Sequence, residues 1–339
     1  MKKILIIRLS SIGDIVLTTP VVRCLKQQLP EAEIHYLTKK QYIPVLQSNP
    51  FIAKIHLFKD NFQELIPKLK AERFDHIVDL HKNFRSHYVR FRLSRPATSF
   101  PKLNLQKWLI TKFHFDRLPP VHIVDRYFRA VQKLGIQNDG KGLDYFLLDP
   151  EQVNIAGRFP ELAPEYVAIA IGAKHQTKIF PVHKVAALCN ELALPVILLG
   201  GKEDMARGEE IRNQSTGRVV NGCGALPLNA SASVINQATL VVSNDTGLMH
   251  IAAALKKPVI SIWGNTIPAF GMYPYLPEEF RHLSTLIEVP VLSCRPCSKL
   301  GYDTCPKGHF DCMERIEMQK IVDAINRYLM PDTGCLMPD

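Results

Sequence analysis

The sequence predicts an α/β protein of two Rossmann-like domains, each a parallel sheet wrapped by helices, with the two sheets facing across a cleft. Three observations carry that expectation. The chain has 339 residues, and at roughly 100–200 residues per domain that length implies two cores. Short apolar runs alternate with helix-period segments in both halves, as in parallel strands joined by crossover helices. A proline-rich stretch separates the halves. With 46% hydrophobic and 22% charged residues, the composition is that of an ordinary globular chain able to fill both cores.

Taken in order, the apolar run Ile4-Leu5-Ile6-Ile7 gives a first strand over 3–8, and three more follow at 33–37, 55–58 and 76–80. Helix-period segments at 19–28 and 62–70 connect them. The C-terminal half repeats the plan, with strands at 166–171, 195–199, 240–243 and 258–263 and helices at 182–194 and 248–256. Asp149-Pro150 and the stretch 159–164, with two further prolines, mark a linker. The expected division is a domain over 1–158 and a second over 159–330, the latter with a Cys-rich loop at 294–312 and a helix at 314–329, then a tail at 331–339. In such folds ligands bind beyond the carboxyl ends of the strands.

Charge is uneven. Residues 1–150 carry a net charge of +12 and the remainder −2, so the N-terminal half is either a solvated positive face or a surface that meets an anion: nucleic acid, a phosphorylated small molecule or an anionic lipid. The first apolar run is broken by Arg8 after four residues and is followed by no small-residue cleavage site, unlike an export signal. No apolar run approaches the ~18–20 residues of a spanning helix. Eight cysteines are too few for a disulfide scaffold. A cytoplasmic protein is expected, with any membrane contact peripheral.

Three segments carry chemistry. Ser10-Ser11-Ile12-Gly13-Asp14 joins the first strand to the first helix, where Gly13 lets backbone approach a ligand and Asp14 is either a helix cap or a carboxylate placed to take a proton from a hydroxyl. One glycine is not the three-glycine dinucleotide fingerprint, which disfavours a dehydrogenase. Asn244-Asp245-Thr246-Gly247-Leu248-Met249-His250 follows an apolar strand and opens an alanine-rich helix. Asp245 or Thr246 caps that helix, Gly247 leaves first-turn N–H groups free for phosphate, and His250 lies one turn on. The third segment, 174–181, sets Lys178 on a loop before a helix, suited to neutralising a diphosphate.

Together with Leu199-Gly200-Gly201-Lys202-Glu203-Asp204, these segments resemble glycosyltransferase family 9, the ADP-heptose:lipopolysaccharide heptosyltransferases. The run from Ser243 to Thr266 is similar to the family's helix start, alanine-rich helix, strand and Gly-x-Thr. Asp79-Leu80-His81-Lys82-Asn83-Phe84-Arg85-Ser86 resembles its Asp-x-x-x-Asn-x-Arg-Ser element. The resemblance spans nearly the whole chain and implies the GT-B fold, with acceptor on the N-terminal half and nucleotide sugar on the C-terminal half.

Residue by residue, it implies Asp14 as catalytic base and Lys178, Glu203, Asp245, Thr246, Gly247 and His250 as donor contacts. The implied reaction is inverting transfer of a heptose or related sugar from an ADP-sugar to a hydroxyl of a lipopolysaccharide core or related envelope glycan. No cofactor is required for it. Ser11, Gly13, Lys82, Arg85 and Arg92 are the candidate acceptor contacts, for an anionic glycolipid at the inner face of the membrane. His81 and Lys82 stand where the heptosyltransferases often have Gln-Gly, and Phe180 where Trp is common. Cys294, Cys297, Cys305 and Cys312 supply the ligand count of a structural zinc site, with reduced thiols or a disulfide as alternatives. Two other functions remain alternatives. A sugar-nucleotide epimerase shares the architecture, and a nucleic-acid-binding protein rests on charge alone and lacks a recognition helix, so no nucleic-acid partner is expected.

Overall fold

The structure, a computed structural model, describes residues 2–162 and 164–329; the expected tail at 331–339 lies outside the described residues. The first sheet comprises β1 (Lys3–Ile7), β2 (Glu33–Thr38), β3 (Lys54–Leu57), β4 (His76–Asp79) and β5 (Ala97–Ser99), in the order β3-β2-β1-β4-β5. The second comprises β6 (Val167–Ala170), β7 (Val196–Leu199), β8 (Val219–Asn221), β9 (Leu240–Asn244), β10 (Val259–Trp263) and β11 (Ser284–Glu288), in the order β11-β10-β9-β6-β7-β8. Every pairing is parallel. Helices cover both faces, so the central strands read as unbroken apolar runs rather than alternations; Leu5, Ile6 and Ile7 are all fully buried.

Each order reverses once, between β1 and β4 in the first sheet and between β6 and β9 in the second. Helices leaving the strands on either side of such a point diverge to opposite faces and open a crevice at the carboxyl ends. Local sequence sets the helices that line it. Asn61 caps Phe62–Ala71 by accepting from the N–H groups of Gln63 and Glu64, and Asn83 and Ser86 cap Phe84–Leu93 reciprocally. Three short edge strands, β5, β8 and β11, are not expected from the sequence, and the segment expected as one helix over 314–329 is a turn at Asp311–Glu314 followed by the helix Met318–Leu329.

The two halves share a core. Ile15, Val16 and Leu17 of the first half lie in the same buried cluster as Ile251, Ala253 and Leu276 of the second. Arg126 donates to the Phe270 carbonyl at 3.0 Å and Tyr145 to the Asn229 amide oxygen at 2.5 Å across the same boundary. Among the described residues, no helix is long and apolar enough to cross a membrane.

Candidate active site

The carboxyl end of β1 delivers Arg8 into the interior, where it is 8% exposed. Its guanidinium donates to the carbonyls of Ser10 (2.7 Å) and Leu80 (2.6 Å) and to the Tyr127 hydroxyl (3.0 Å), and its remaining nitrogen pairs with Asp14 at 2.6 Å. The other Asp14 oxygen accepts from the Ser11 hydroxyl at 2.8 Å and the Ser11 N–H at 3.2 Å. Asp14 is therefore not the cap itself: Ser11 holds that position, and Asp14 sits at the third position of the short helix Ile12–Val16. Burial pushes its carboxyl up, but the Arg8 charge and the Ser11 hydrogen bonds outweigh this and hold it below the usual carboxylate range. The result is a carboxylate ionised at neutral pH and fixed in direction.

On the opposing domain, β9 ends at Asn244 and the helix Gly247–Ala254 begins with Thr246 at its N-cap. Lys178 reaches Asp245 at 2.5 Å, and the Thr266 hydroxyl donates to the same Asp245 oxygen at 2.9 Å. Asn244 is buried and braces this loop, accepting from the Phe180 N–H and donating to the Ile171 carbonyl. Lys178 and Asp245 thus flank the reversal point between β6 and β9, where an anion gains most from fixed dipoles and a paired cation.

The two helix starts touch. A Cβ on Gly13 would lie 2.5 Å from His250 Cδ2, and one on Gly247 would lie 2.7 Å from Ile12 Cγ2. Both glycines therefore serve close approach between the domains, a demand not visible in the local sequence. His250 fills the seam, 3% exposed, with Nδ1 unpartnered. Burial, against the pull of Asp245 and Asp14, pushes its imidazole down to about 4, so it is neutral at pH 7.

Several expected contacts stand apart. Glu203 is exposed, and its neighbour Asp204 is the buried acid, accepting from the Gly201 N–H and pairing with Arg207. Lys82 spends its ammonium on the Phe100 carbonyl at 2.9 Å. Arg85 lies 3.4 Å from Asp60, and Arg92 donates to the Tyr88 hydroxyl; both are exposed. The Asp79-to-Ser86 element is an internal knot in which fully buried Asp79 accepts from the backbone of His81 and Lys82 and from the Ser86 hydroxyl.

Other residues enter unannounced. Lys107, on the helix Asn104–Phe113, lies over the Phe270 ring at 5.1 Å, and burial together with Arg126 pushes its ammonium down to about 7 against the pull of Asp14 and Asp245. Arg295, inside the Cys-rich loop, donates to the carbonyls of Gly264 (2.5 Å) and Thr266 (2.8 Å) and pairs with Glu288. Tyr302 of the same loop exchanges hydrogen bonds with Thr177, beside Lys178. The loop thus clamps both turns, the one that carries Lys178 and the one that carries Thr266.

Cys294, Cys297, Cys305 and Cys312 are free thiols, with Cys294 3.9 Å from His309 Nε2. Burial and the neighbouring sulfurs push Cys312 up to about 12. A tetrahedral zinc site with Zn–S near ~2.3 Å needs sulfurs about 3.8 Å apart. Among the described residues the one trio of ligand atoms gathered within 4.8 Å is His35, His56 and Glu72, so the four thiols as arranged do not fit a closed zinc site.

The family model described as glycosyltransferase family 9 (heptosyltransferase) matches residues 62–291, more than half of the chain, with Lys178, Asp245 and Thr266 inside the match. The chain belongs to glycosyltransferase family 9. Lipopolysaccharide heptosyltransferase 3 of Escherichia coli is 28% identical over 308 residues, covering 80% of this chain and 88% of that one. The solved family 9 glycosyltransferase of Veillonella parvula superposes with a TM-score of 0.78 at 20% identity, covering 98% of each chain. The E. coli ADP-heptose LPS heptosyltransferase II gives 0.75 at 21% identity, covering 98% of this chain and 100% of that one. These two confirm the GT-B fold, and family 9 membership makes the chain a glycosyltransferase rather than an epimerase.

Proposed function

We propose that this family 9 enzyme transfers a heptose from ADP-heptose to a hydroxyl of a lipopolysaccharide core or related envelope glycan, with inversion at the anomeric carbon and Asp14 as general base. The observation that carries the reading is the opposition of two groups across one glycine-lined seam: the Asp14 carboxylate, held by Arg8 and Ser11, and the Lys178–Asp245–Thr266 cluster. The match to proteins named as lipopolysaccharide and ADP-heptose heptosyltransferases supports the donor and acceptor classes.

The sugar leaves its diphosphate through an oxocarbenium-like state while negative charge collects on the departing phosphates. Lys178 and the N–H groups at the start of Gly247–Ala254 meet that charge, with Asp245 holding the lysine aimed until the donor arrives. From the opposite face the acceptor hydroxyl attacks in line and passes its proton to Asp14. As a base, Asp14 is weak, because Arg8 holds its proton affinity down; the proton therefore moves only as the hydroxyl oxygen loses electron density to the anomeric carbon. His250, uncharged, packs the seam without adding charge to it. Lys102 and Lys107, two lysines of the N-terminal domain whose charge is felt by Asp14, meet anionic groups of the acceptor, with Ser11 and Gly13 at its hydroxyl. The step needs no cofactor, and a lipid-linked acceptor places the enzyme at the cytoplasmic membrane face.

A panel of ADP-, UDP- and GDP-sugars read by thermal shift, followed by ADP release in the presence of a deep-rough lipopolysaccharide acceptor, tests the reading. Stabilisation by ADP-heptose and acceptor-dependent release of ADP are expected. Stabilisation by UDP- or GDP-sugars alone would overturn the donor assignment, and donor consumption without acceptor would overturn the transfer.

A further inference from the structure

Between residues 82 and 117 the chain carries nine Lys or Arg and a single acid, Asp116. With a net charge of +8, that segment supplies two-thirds of the +12 net charge of the N-terminal half. The same segment leaves large apolar side chains in water: Phe84 is 81% exposed, Phe91 78%, Leu105 65%, Trp108 47% and Phe113 64%. Solvation of so much apolar area stabilises nothing in a monomer, and such exposure marks an interaction surface.

The arrangement is helical and two-sided. On Phe84–Leu93, Phe84 and Phe91 are two turns apart on one exposed stripe, with exposed Arg85 and Arg92 at the same spacing beside them. On Asn104–Phe113, Leu105, Trp108 and Lys112 share the outer face, while Ile110 is buried and Lys107 faces Phe270. A ten-residue helix is too short to span a bilayer but suits one lying in its interface, with aromatic and aliphatic side chains down and cations at headgroup level. Leu105 offers no stacking face to a nucleobase, and the cations of the segment outnumber the acids set against them, Asp60 beside Arg85 and buried Asp79 beside Arg90, as suits a surface of lipid phosphates. On the inner face of the second helix Lys107 packs on Phe270 of the other domain, so a bilayer on the outer face lies beside the junction of the two domains.

We propose that the N-terminal domain docks on an anionic lipid bilayer through the outer faces of these two helices, with Phe84, Phe91, Leu105, Trp108 and Phe113 entering the interface and the flanking cations on lipid phosphates. The proposal deepens the transferase reading by naming its lipid partner surface and rests on that reading only for the purpose of docking.

The chain has two tryptophans, and Trp263 is fully buried, so a change in emission on membrane binding reports Trp108. The full-length protein is titrated with vesicles of 70:30 phosphatidylcholine:phosphatidylglycerol, and with phosphatidylcholine alone, using brominated acyl chains as quencher. A blue shift with quenching on the anionic vesicles, and binding about tenfold weaker or less on neutral ones, are expected. The variant Phe84→Ser/Phe91→Ser, and separately Leu105→Ser, weaken partitioning by about tenfold or more, as loss of one or two buried apolar side chains does. Their turnover of a deacylated, soluble acceptor is unchanged. Absence of the blue shift, partitioning indifferent to the serine variants, or quenching by single-stranded oligonucleotides in place of vesicles would overturn the proposal. Partitioning without any sugar transfer would instead sink the transferase reading and leave the docking surface standing.

Discussion

Gly13→Ala is the smallest change that tests whether the seam between the domains governs the chemistry. The added methyl carbon would sit 2.5 Å from His250 Cδ2, 3.3 Å from Nε2 and 3.4 Å from Gly247 Cα. Carbon atoms in contact rest about 3.5–4.0 Å apart, so the two helix starts must separate by about 1 Å unless His250 moves. The ring is 3% exposed and packed on every side, which closes that route. Overpacking of this size costs about 1–3 kcal/mol, or a fall in Tm of about 2–10 °C for a domain of this size. The kinetic effect is larger in proportion. Shifting Asp14 by about 1 Å against the donor phosphates costs about 100-fold in kcat. Differential scanning fluorimetry and saturating initial rates measure both. Combining the change with His250→Ala reopens the space and restores most of the lost Tm, since the two sites share one contact. A Gly13→Ala enzyme with unaltered Tm and kcat would show that the seam is slack and that this part of the reasoning is wrong.

Three further outcomes are expected. Lys178→Ala weakens ADP binding by calorimetry and slows transfer by about 100-fold or more; normal values for both would remove the lysine from the donor site. The Asp14–Arg8 pair links stability to pH with a defined sign. Asp14 titrates lower in the folded protein than in the unfolded chain, so its contribution is complete above the unfolded value near ~4 and is lost as pH falls through the folded one. With side chains 10% and 24% exposed, removing the pair by Asp14→Asn costs about 1–3 kcal/mol in urea unfolding at pH 7, and wild type and variant converge toward pH 2; a gap that widens on acidification would reverse the assignment. Arg295→Ala frees the Gly264–Thr266 turn and raises the donor KM several-fold while leaving the acceptor KM alone, and an unchanged donor KM would show the clamp to be idle.

Much of this was legible because the signal was local. The apolar runs that became β1, β6, β7, β9 and β10 are buried on both faces, so hydrophobicity marks them. The edge strands β5, β8 and β11 are short and only partly buried, and neither period nor composition separates them from loop. In the site, Asp14, Lys178, Asp245 and Thr246 follow strands and precede helices, which is where ligands bind in this fold. Arg8 was visible as the end of an apolar run and the first residue of the segment leading to Asp14, without a role; it holds Asp14 while donating to residues as distant as Leu80 and Tyr127. Lys107 and Arg295 are of the same kind: a lysine on an amphipathic helix and an arginine among cysteines acquire meaning from what the other domain, or another strand end, places against them. Gly13 and Gly247 read locally as ligand-approach glycines, whereas the tertiary fold uses them to bring two helix starts into contact.

The account turns on Asp14 taking the acceptor proton, and the most direct measurement is single-turnover transfer by Asp14→Asn under saturating ADP-heptose and acceptor, with ADP affinity measured on the same preparation. A fall in the transfer rate of about 100-fold or more, with ADP affinity within about twofold of wild type, is the predicted result. Transfer at the wild-type rate would contradict the central claim, and a loss confined to ADP affinity would move Asp14 from the chemistry to the donor.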